Sequence, residues 1–266
     1  MYYEKKVVSI VLLSGLLCIC LPINANASGG SYLSTDSLIT DSITNIQKKF
    51  PYKQLILPVA LVTYGTVETL LAGKVRLLNY AIGHEFATHA PTKFRIDDIT
   101  QYIPAASVYV LGFSGVKGKH NIKDKTIILG IASLLMATSV NTIKYTAQVD
   151  RPDKSARNSF PSGHTAVAFM GAEFLWQEYK DVSVWYGVAG YCIAAGTGMF
   201  RMYNNKHWLG DVVAGAGLGI LSTKVAYLIY PTLQRRFSKN SNNRKALSFI
   251  PFYNGQQGGL SISINI

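Results

Sequence analysis

The chain has 266 residues; 48% are hydrophobic, only 15% are charged, and the formal net charge is +12. That charged share is low for a soluble domain, where about a quarter is usual, and the positive excess suits anionic partners or the cytoplasmic loops of a membrane protein. Of the three cysteines, Cys18 and Cys20 lie in an apolar N-terminal run and Cys192 stands alone, which excludes a disulfide framework and a cysteine metal site.

Residues 1–27 read as a signal peptide or an N-terminal anchor. Lys5 and Lys6 form a positive start, Val7 to Leu21 is a 15-residue apolar run, and Ala25-Asn26-Ala27 fits a cleavage site. A polar leader, 28–53, rich in Ser, Thr, Asn and Gly, follows. Six apolar segments come next: 55–72, 103–116, 126–143, 165–179, 184–203 and 212–230. Each is 14–20 residues long, enough for a helix and too long for an ordinary strand. The expected fold class is all-α, a bundle of about six helices over 54–246. Several segments approach the roughly 20 apolar residues that a bilayer requires, so the bundle is expected to be membrane-embedded. Gly215-Ala-Gly217-Leu-Gly219 in the last segment is a GxxxG pattern that lets helices approach closely. In the tail, 247–266, Leu260, Ile262, Ile264 and Ile266 alternate with polar residues, and Asn254-Gly255 can turn a hairpin. A short β-hairpin or an irregular end is expected there.

Loop charge bears on orientation. Lys117, Lys119, Lys123 and Lys125 lie between the second and third segments, and Arg235, Arg236, Lys239, Arg244 and Lys245 follow the sixth. If the third to sixth segments all span, the two clusters share a side, which the positive-inside rule makes cytoplasmic. The loops around 144–164 and 204–211 then face outward. One conflict stands. A cleaved signal leaves the new N-terminus outside, and a first segment spanning inward from there would invert every later loop. Either 55–72 lies on or dips into the membrane, or 7–21 is not an export signal.

Three groups of residues gather in the two outward loops. His207 and Asp211 are four apart, so at a helix start both share a face. The carboxylate can accept the imidazole Nδ1 proton, leaving Nε2 as a nucleophile or a base. Lys144, Arg151 and Arg201 supply three cations, the arginines as planar forks matched to phosphoryl oxygens. Pro161-Ser162-Gly163-His164 opens the fourth segment, where unpaired helix N–H groups form an anion site. Gly163 lets backbone come close to a phosphate, and His164 stands where it can protonate a departing oxygen. Singly these are weak signals. Asp211 has an alternative role as a helix cap, each cation as an interfacial anchor, and Ser-Gly-His is a common string.

In this order and spacing, Lys144-x6-Arg151-Pro152, Pro161-Ser162-Gly163-His164 and Arg201-x5-His207-x3-Asp211 resemble the signature of the type 2 phosphatidic acid phosphatase superfamily. That family includes membrane lipid phosphatases, soluble bacterial acid phosphatases and vanadium haloperoxidases. The resemblance implies a helical bundle with the site at the ends of four helices. It implies phosphate binding by Lys144, Arg151 and Arg201, aided by Ser162 and Gly163. It implies that His207 attacks phosphorus to give a phosphohistidine, that Asp211 orients His207, and that His164 protonates the leaving alkoxide. No metal and no cofactor is implied, because cations and N–H groups stabilise the equatorial oxygens instead. One position departs: the family's third motif begins Ser-Arg, here Phe200-Arg201, so a hydroxyl is missing. Residues 203–208, and the first segment with its leader, look most like bacterial lipid A phosphatases. The implied partners are a membrane and a phosphorylated lipid, and no nucleic acid. Lipid A is favoured, with phosphatidylglycerophosphate, phosphatidate and undecaprenyl diphosphate as alternatives. A soluble periplasmic acid phosphatase, a vanadium-dependent haloperoxidase and a non-catalytic membrane binding or transport protein are the competing readings.

Other candidates fall away. His84-Glu85-Phe86-Ala87-Thr88-His89 is not a zinc helix, because its histidines are five apart rather than four. His120 reads as solvated, and Asp97 and Asp98 as caps of the second segment. The implied chemistry asks for a neutral His207 and a protonated His164. Two imidazoles of ordinary pKa, about 6.5, must then be pushed apart by their surroundings.

Overall fold

The computed structural model describes residues 52–70, 95–241, 247–253 and 258–264. The signal peptide, most of the polar leader, His84, His89 and the Asn254-Gly255 turn lie outside the described residues. The chain divides into two units, the first ending at Ala226. Its helices are α1 (Lys53–Leu70), α2 (Asp97–Thr100), α3 (Ile103–Phe113), α4 (Ile122–Ala147), α5 (Gly163–Tyr179), α6 (Val184–Tyr203) and α7 (Leu209–Ser241), the last continuing past the boundary. All six apolar segments are helices. The addition is α2, four residues with no hydrophobic period to announce it.

Local chemistry sets the helix ends. Asn121 caps α4 by accepting the Asp124 N–H at 2.9 Å, and Gln148 stops it in a left-handed conformation, φ 47°. The far end of α6 is a Schellman turn. Asn205 is left-handed (φ 54°), its N–H donates to Met202 O at 2.9 Å, and the Lys206 N–H donates to Arg201 O at 3.0 Å. That turn reverses the chain and delivers His207 to the start of α7. Asp211, the third residue of α7, accepts the Trp208 N–H at 2.9 Å, the acid half of a capping box.

Close packing around α7 depends on its glycines. A Cβ on Gly215 would sit 2.5 Å from Ser162 O, and one on Gly219 would collide with Ala166 O of α5. On another face, a Cβ on Gly217 would lie 2.7 Å from Pro58 O of α1, and one on Gly65 2.7 Å from Ala214 N. The expected small-residue pattern therefore admits two helices, α5 and α1. Because Pro58 meets Gly217 and Gly65 meets Ala214, α1 runs antiparallel to α7. The α5–α6 contact is built on Ala168, Ala172 and Ala194. Glu173 is buried in this layer with Lys224 Nζ at 2.8 Å, Gln177 Nε2 at 2.6 Å and the Tyr191 hydroxyl. A buried carboxylate persists only with such partners.

Loops collect at two ends. At one, the Ser162 N–H donates to Asp211 O at 3.0 Å and the Asp153 N–H to Asn205 O at 3.2 Å, joining the α4–α5 and α6–α7 loops. At the other, Lys-rich end, the Lys119 N–H donates to Glu178 O at 3.0 Å. Here one expectation is corrected: His120 is not simply solvated. Its Nδ1 lies 2.7 Å from Glu178 Oε1, and its N–H donates to Oε2 at 3.0 Å. The packed bundle end denies water to the Glu178 carboxylate, and His120 supplies the partner in its place.

In the second unit, β1 (Leu247–Tyr253) and β2 (Gly258–Ile264) pair antiparallel, Leu247 opposite Ile264 and Tyr253 opposite Gly258. Of the two expectations for the tail, this is the hairpin.

Candidate active site

The three residue groups meet where α4 and α6 end and α5 and α7 begin. His207 is buried between the Schellman turn and α7, with Nδ1 3.5 Å from Asp211 Oδ2. That distance is long for a hydrogen bond, but it aims Nδ1 at the carboxylate and turns Nε2 away from it. Asp211 Oδ2 also accepts from the Ser159 hydroxyl and the Trp208 N–H. Asp211 thus caps the helix while its carboxylate faces the imidazole of His207.

The cations are held by residues outside the motif. Lys144 Nζ donates to Asn158 O at 2.7 Å, and Arg151 Nε donates to Asn158 Oδ1 at 3.0 Å. One asparagine therefore positions two cations through its backbone and its side chain. Lys206 Nζ meets Asp153 Oδ2 at 2.6 Å, tying the Arg151 loop to the His207 loop. Burial would raise the Asp153 carboxyl, but hydrogen bonds from Lys206 and Ser155 outweigh it and bring it to about 2. Burial and the nearby Arg201 charge hold Arg151 below the ordinary arginine value. Arg201 is buried, its Nη1 2.6 Å from Asp97 Oδ2, and Asn204 Nδ2 donates to Asp97 Oδ1 at 3.1 Å.

Asp97 and Asp98 were expected as caps and are not. Ile96 precedes α2 with helical backbone and no side-chain cap, and both carboxylates turn into the site. Asp98 Oδ1 lies 2.9 Å from His164 Nε2, and its Oδ2 accepts from Arg95 Nε at 2.9 Å. An acid just before an apolar run looks the same in sequence whether it caps or reaches across 104 positions to Arg201.

Ser162 and Gly163 differ. The Ser162 hydroxyl pairs with Thr165 Oγ1 at 2.8 Å and its N–H is taken by Asp211 O, so its own groups are engaged within the protein. A Cβ on Gly163 would meet nothing nearer than Val140 Cγ1 at 4.0 Å. Packing does not demand glycine there, and the space before the helix start is open to a ligand.

Burial drives His207 down to about 4, with Arg201 and Lys144 adding to the fall and Asp211 opposing it. His164 stands at the mouth of the site in the first turn of α5. Burial and the Arg201 charge lower it too, opposed by Asp98 and Asp97. Both imidazoles fall, burial first and the neighbouring cations adding to it, and His207 reaches about 4; a bound phosphate would raise both. Among the described residues, Arg201 Nε, His207 Nδ1 and Asp211 Oδ1 are buried without a hydrogen-bond partner. Such orphans are uncommon, and three in one place mark a site shaped for something other than its own folding. Ligand atoms of Asp97, Asp98 and His164 also lie within 4.8 Å of one another. They are engaged by Arg201, Asn204, Arg95 and each other, so this acid–imidazole group serves the protein's own cations and donors.

These features describe a helical bundle with a buried histidine and three cations gathered at one end. The PAP2 superfamily model matches residues 125–235. The match includes every motif residue from Lys144 to Asp211 and begins after Asp97 and Asp98. A protein of Porphyromonas gingivalis named lipid A 1-phosphatase is 44% identical over 139 residues, 51% of this chain and 31% of that protein. The chain therefore spans under a third of that relative's length. Two crystal structures are similar in fold. Aquifex aeolicus LpxE is 23% identical, with a TM-score of 0.43, over 57% of this chain and 93% of that one. A transmembrane PAP2-type phosphatidylglycerolphosphate phosphatase of Bacillus subtilis is 20% identical, with a TM-score of 0.42, over 67% and 98%.

Proposed function

We propose that this chain is a metal-independent phosphatase that removes phosphate from a membrane lipid through a phosphohistidine at His207. The observation that carries this is the buried His207, Nδ1 aimed at Asp211, beside Lys144, Arg151 and Arg201. The three cations and the N–H groups at the start of α5 take the equatorial oxygens. Nε2 of His207 attacks phosphorus, the P–N bond forms, and the P–O bond to the lipid breaks. His164 gives its proton to the leaving alkoxide. Water then attacks the phosphohistidine while the now neutral His164 takes a proton from it. The P–N bond breaks, inorganic phosphate leaves, and both histidines return to their starting forms. Asp98 favours the protonated His164, and Asp211 stabilises the charge that His207 acquires.

A lipid substrate is supported by the outer surface. Helix α4 and residues Leu209–Arg236 of α7 are long and apolar enough to cross a membrane. Ile127, Leu134, Val110 and Phe113 are exposed, an apolar exterior that suits lipid. Trp185 is exposed at the Lys-rich end, and Tyr102 and Tyr145 at the site end, as in the aromatic belts of membrane proteins. In this reading residues 54–246 form the phosphatase domain of an inner-membrane protein, with the Lys-rich end cytoplasmic and the site periplasmic. Lipid A is the favoured substrate, supported by the name of the Porphyromonas gingivalis relative.

The test is phosphate release from lipid A, phosphatidylglycerophosphate, phosphatidate and undecaprenyl diphosphate, each with EDTA. The expected result is release undiminished by EDTA, fastest from lipid A. An acid-labile, alkali-stable phosphoprotein should be trapped in the wild type and not in His207→Ala. Release from none of these lipids, or full activity in His207→Ala, overturns the proposal.

A further inference from the structure

Beside the cation cradle, on the outer side of α4, lies a cavity of about 470 Å³ lined by Asn141, Lys144, Tyr145, Gln148, Arg157 and Asn158. Its size is within the usual range of small-ligand sites, about 300–1,000 Å³. Lys144 and Asn158 belong to cavity and cradle alike. A chemical group held in the cavity is therefore next to the phosphate, close enough to be the part of the substrate that carries it.

The lining says which group. Asn141, Tyr145 and Gln148 are spaced four and three apart, one exposed stripe on the final turns of α4. Lower on the same helix the large exposed apolar side chains are Ile122, Ile127 and Leu134, whereas beside the cradle the exposed stripe carries two amides and a phenol. Of the cavity's two charges, Lys144 is shared with the cradle, where it donates to Asn158 O, and Arg157 Nε is paired with Asp150 Oδ1 at 3.1 Å. What remains are amides, which both donate and accept, and the ring of Tyr145, which is 80% exposed. A second phosphate would need a cation beyond Lys144, which the first phosphate uses, and Arg157, whose charge Asp150 balances. A glycerol stem would leave the aromatic face and most of the amide groups unused. A sugar ring uses both, with hydroxyls to the amides and its C–H face on the phenol ring.

We propose that this cavity binds the sugar ring bearing the scissile phosphate, so that the site selects glycolipid phosphates over glycerophospholipid phosphates. The selection rests on the phosphatase reading above, and binding is tested separately from turnover.

Two measurements on the full chain in detergent decide it. The first is calorimetric binding of N-acetylglucosamine 1-phosphate, glycerol 3-phosphate and inorganic phosphate to His207→Ala. The sugar phosphate is expected to bind roughly tenfold tighter than the other two. Tyr145→Ala with Gln148→Ala should erase that difference. The second is the ratio of kcat/KM for lipid A over phosphatidate, expected to fall about tenfold in the double variant, carried by KM for lipid A. Tyr145 and Gln148 are exposed, so the fold should survive their loss, and circular dichroism checks this. Equal losses on both lipids would make Tyr145 an interfacial anchor and overturn the inference. So would equal binding of the three probes, or tighter binding of glycerol 3-phosphate than of the sugar phosphate. If the sugar phosphate binds selectively while no lipid is cleaved, the phosphatase reading fails and the sugar site stands.

Discussion

In the proposed mechanism His207 must be neutral to attack, and burial, which lowers its pKa to about 4, keeps it so above that value. As pH falls through that value the imidazole takes a proton, Nε2 loses its lone pair, and kcat/KM falls. His164 has the opposite requirement: it must hold a proton, so activity falls as pH rises through its pKa. Asp98 is the nearest group opposing the fall of that pKa. Asp98→Asn should therefore move the alkaline limb of the kcat/KM profile to lower pH and leave the acid limb in place. Superimposable profiles would show that Asp98 does not govern His164. The two histidines also show what sequence can reveal. His207 and Asp211 are four residues apart, within one helical turn, and their pairing is legible from spacing. His164 meets Asp98 across 66 positions. No local period encodes that contact, and only the packing of α2 against the bundle creates it.

At the scale of elements, two glycines separate packing from binding. Gly215 carries α7 to within contact of the Ser162 carbonyl, a backbone group that cannot step aside. Gly215→Ala should cost about 1–3 kcal/mol by overpacking and shift the start of α5, lowering both Tm and activity. Gly163 has room for a methyl group, and alanine is the better helix residue by up to about 1 kcal/mol. Gly163→Ala should keep or raise Tm while KM increases, because the methyl occupies space meant for phosphate oxygens. Thermal melting and steady-state kinetics on the pair check this, and a fall in Tm for Gly163→Ala would return that glycine to a packing role. The long helices were legible because each is an apolar run, although α4 begins at Ile122, four residues before its apolar segment, behind an Asn121 cap. Helix α2 was not, since four residues carry no period and its acids look like caps. Asn158 was equally hidden, because an asparagine in a loop gives no sign that it will bridge Lys144 and Arg151.

At the scale of the molecule, the direction of α1 sharpens the conflict between an export signal and the later helices. Helix α1 opposes α7, and α7 starts at the site, so the beginning of α1, with Tyr52, lies on the side toward the Lys-rich end. If α1 crosses the membrane and the site faces outward, the chain before α1 lies inside, where a cleaved signal would not leave it. Substituted cysteines resolve this in a background with Cys18, Cys20 and Cys192 changed to Ser. Lys154, Lys117 and Tyr52 are exposed, the first at the site end and the others at the Lys-rich end. A membrane-impermeant maleimide added to the periplasmic side should label Lys154→Cys and spare Lys117→Cys and Tyr52→Cys until the membrane is permeabilised. Labelling of Lys117→Cys with Lys154→Cys protected would invert the bundle and place the site in the cytoplasm. Labelling of both Tyr52→Cys and Lys154→Cys would mean that α1 does not cross, which restores the export signal and makes α1 a helix that enters and stays on one side.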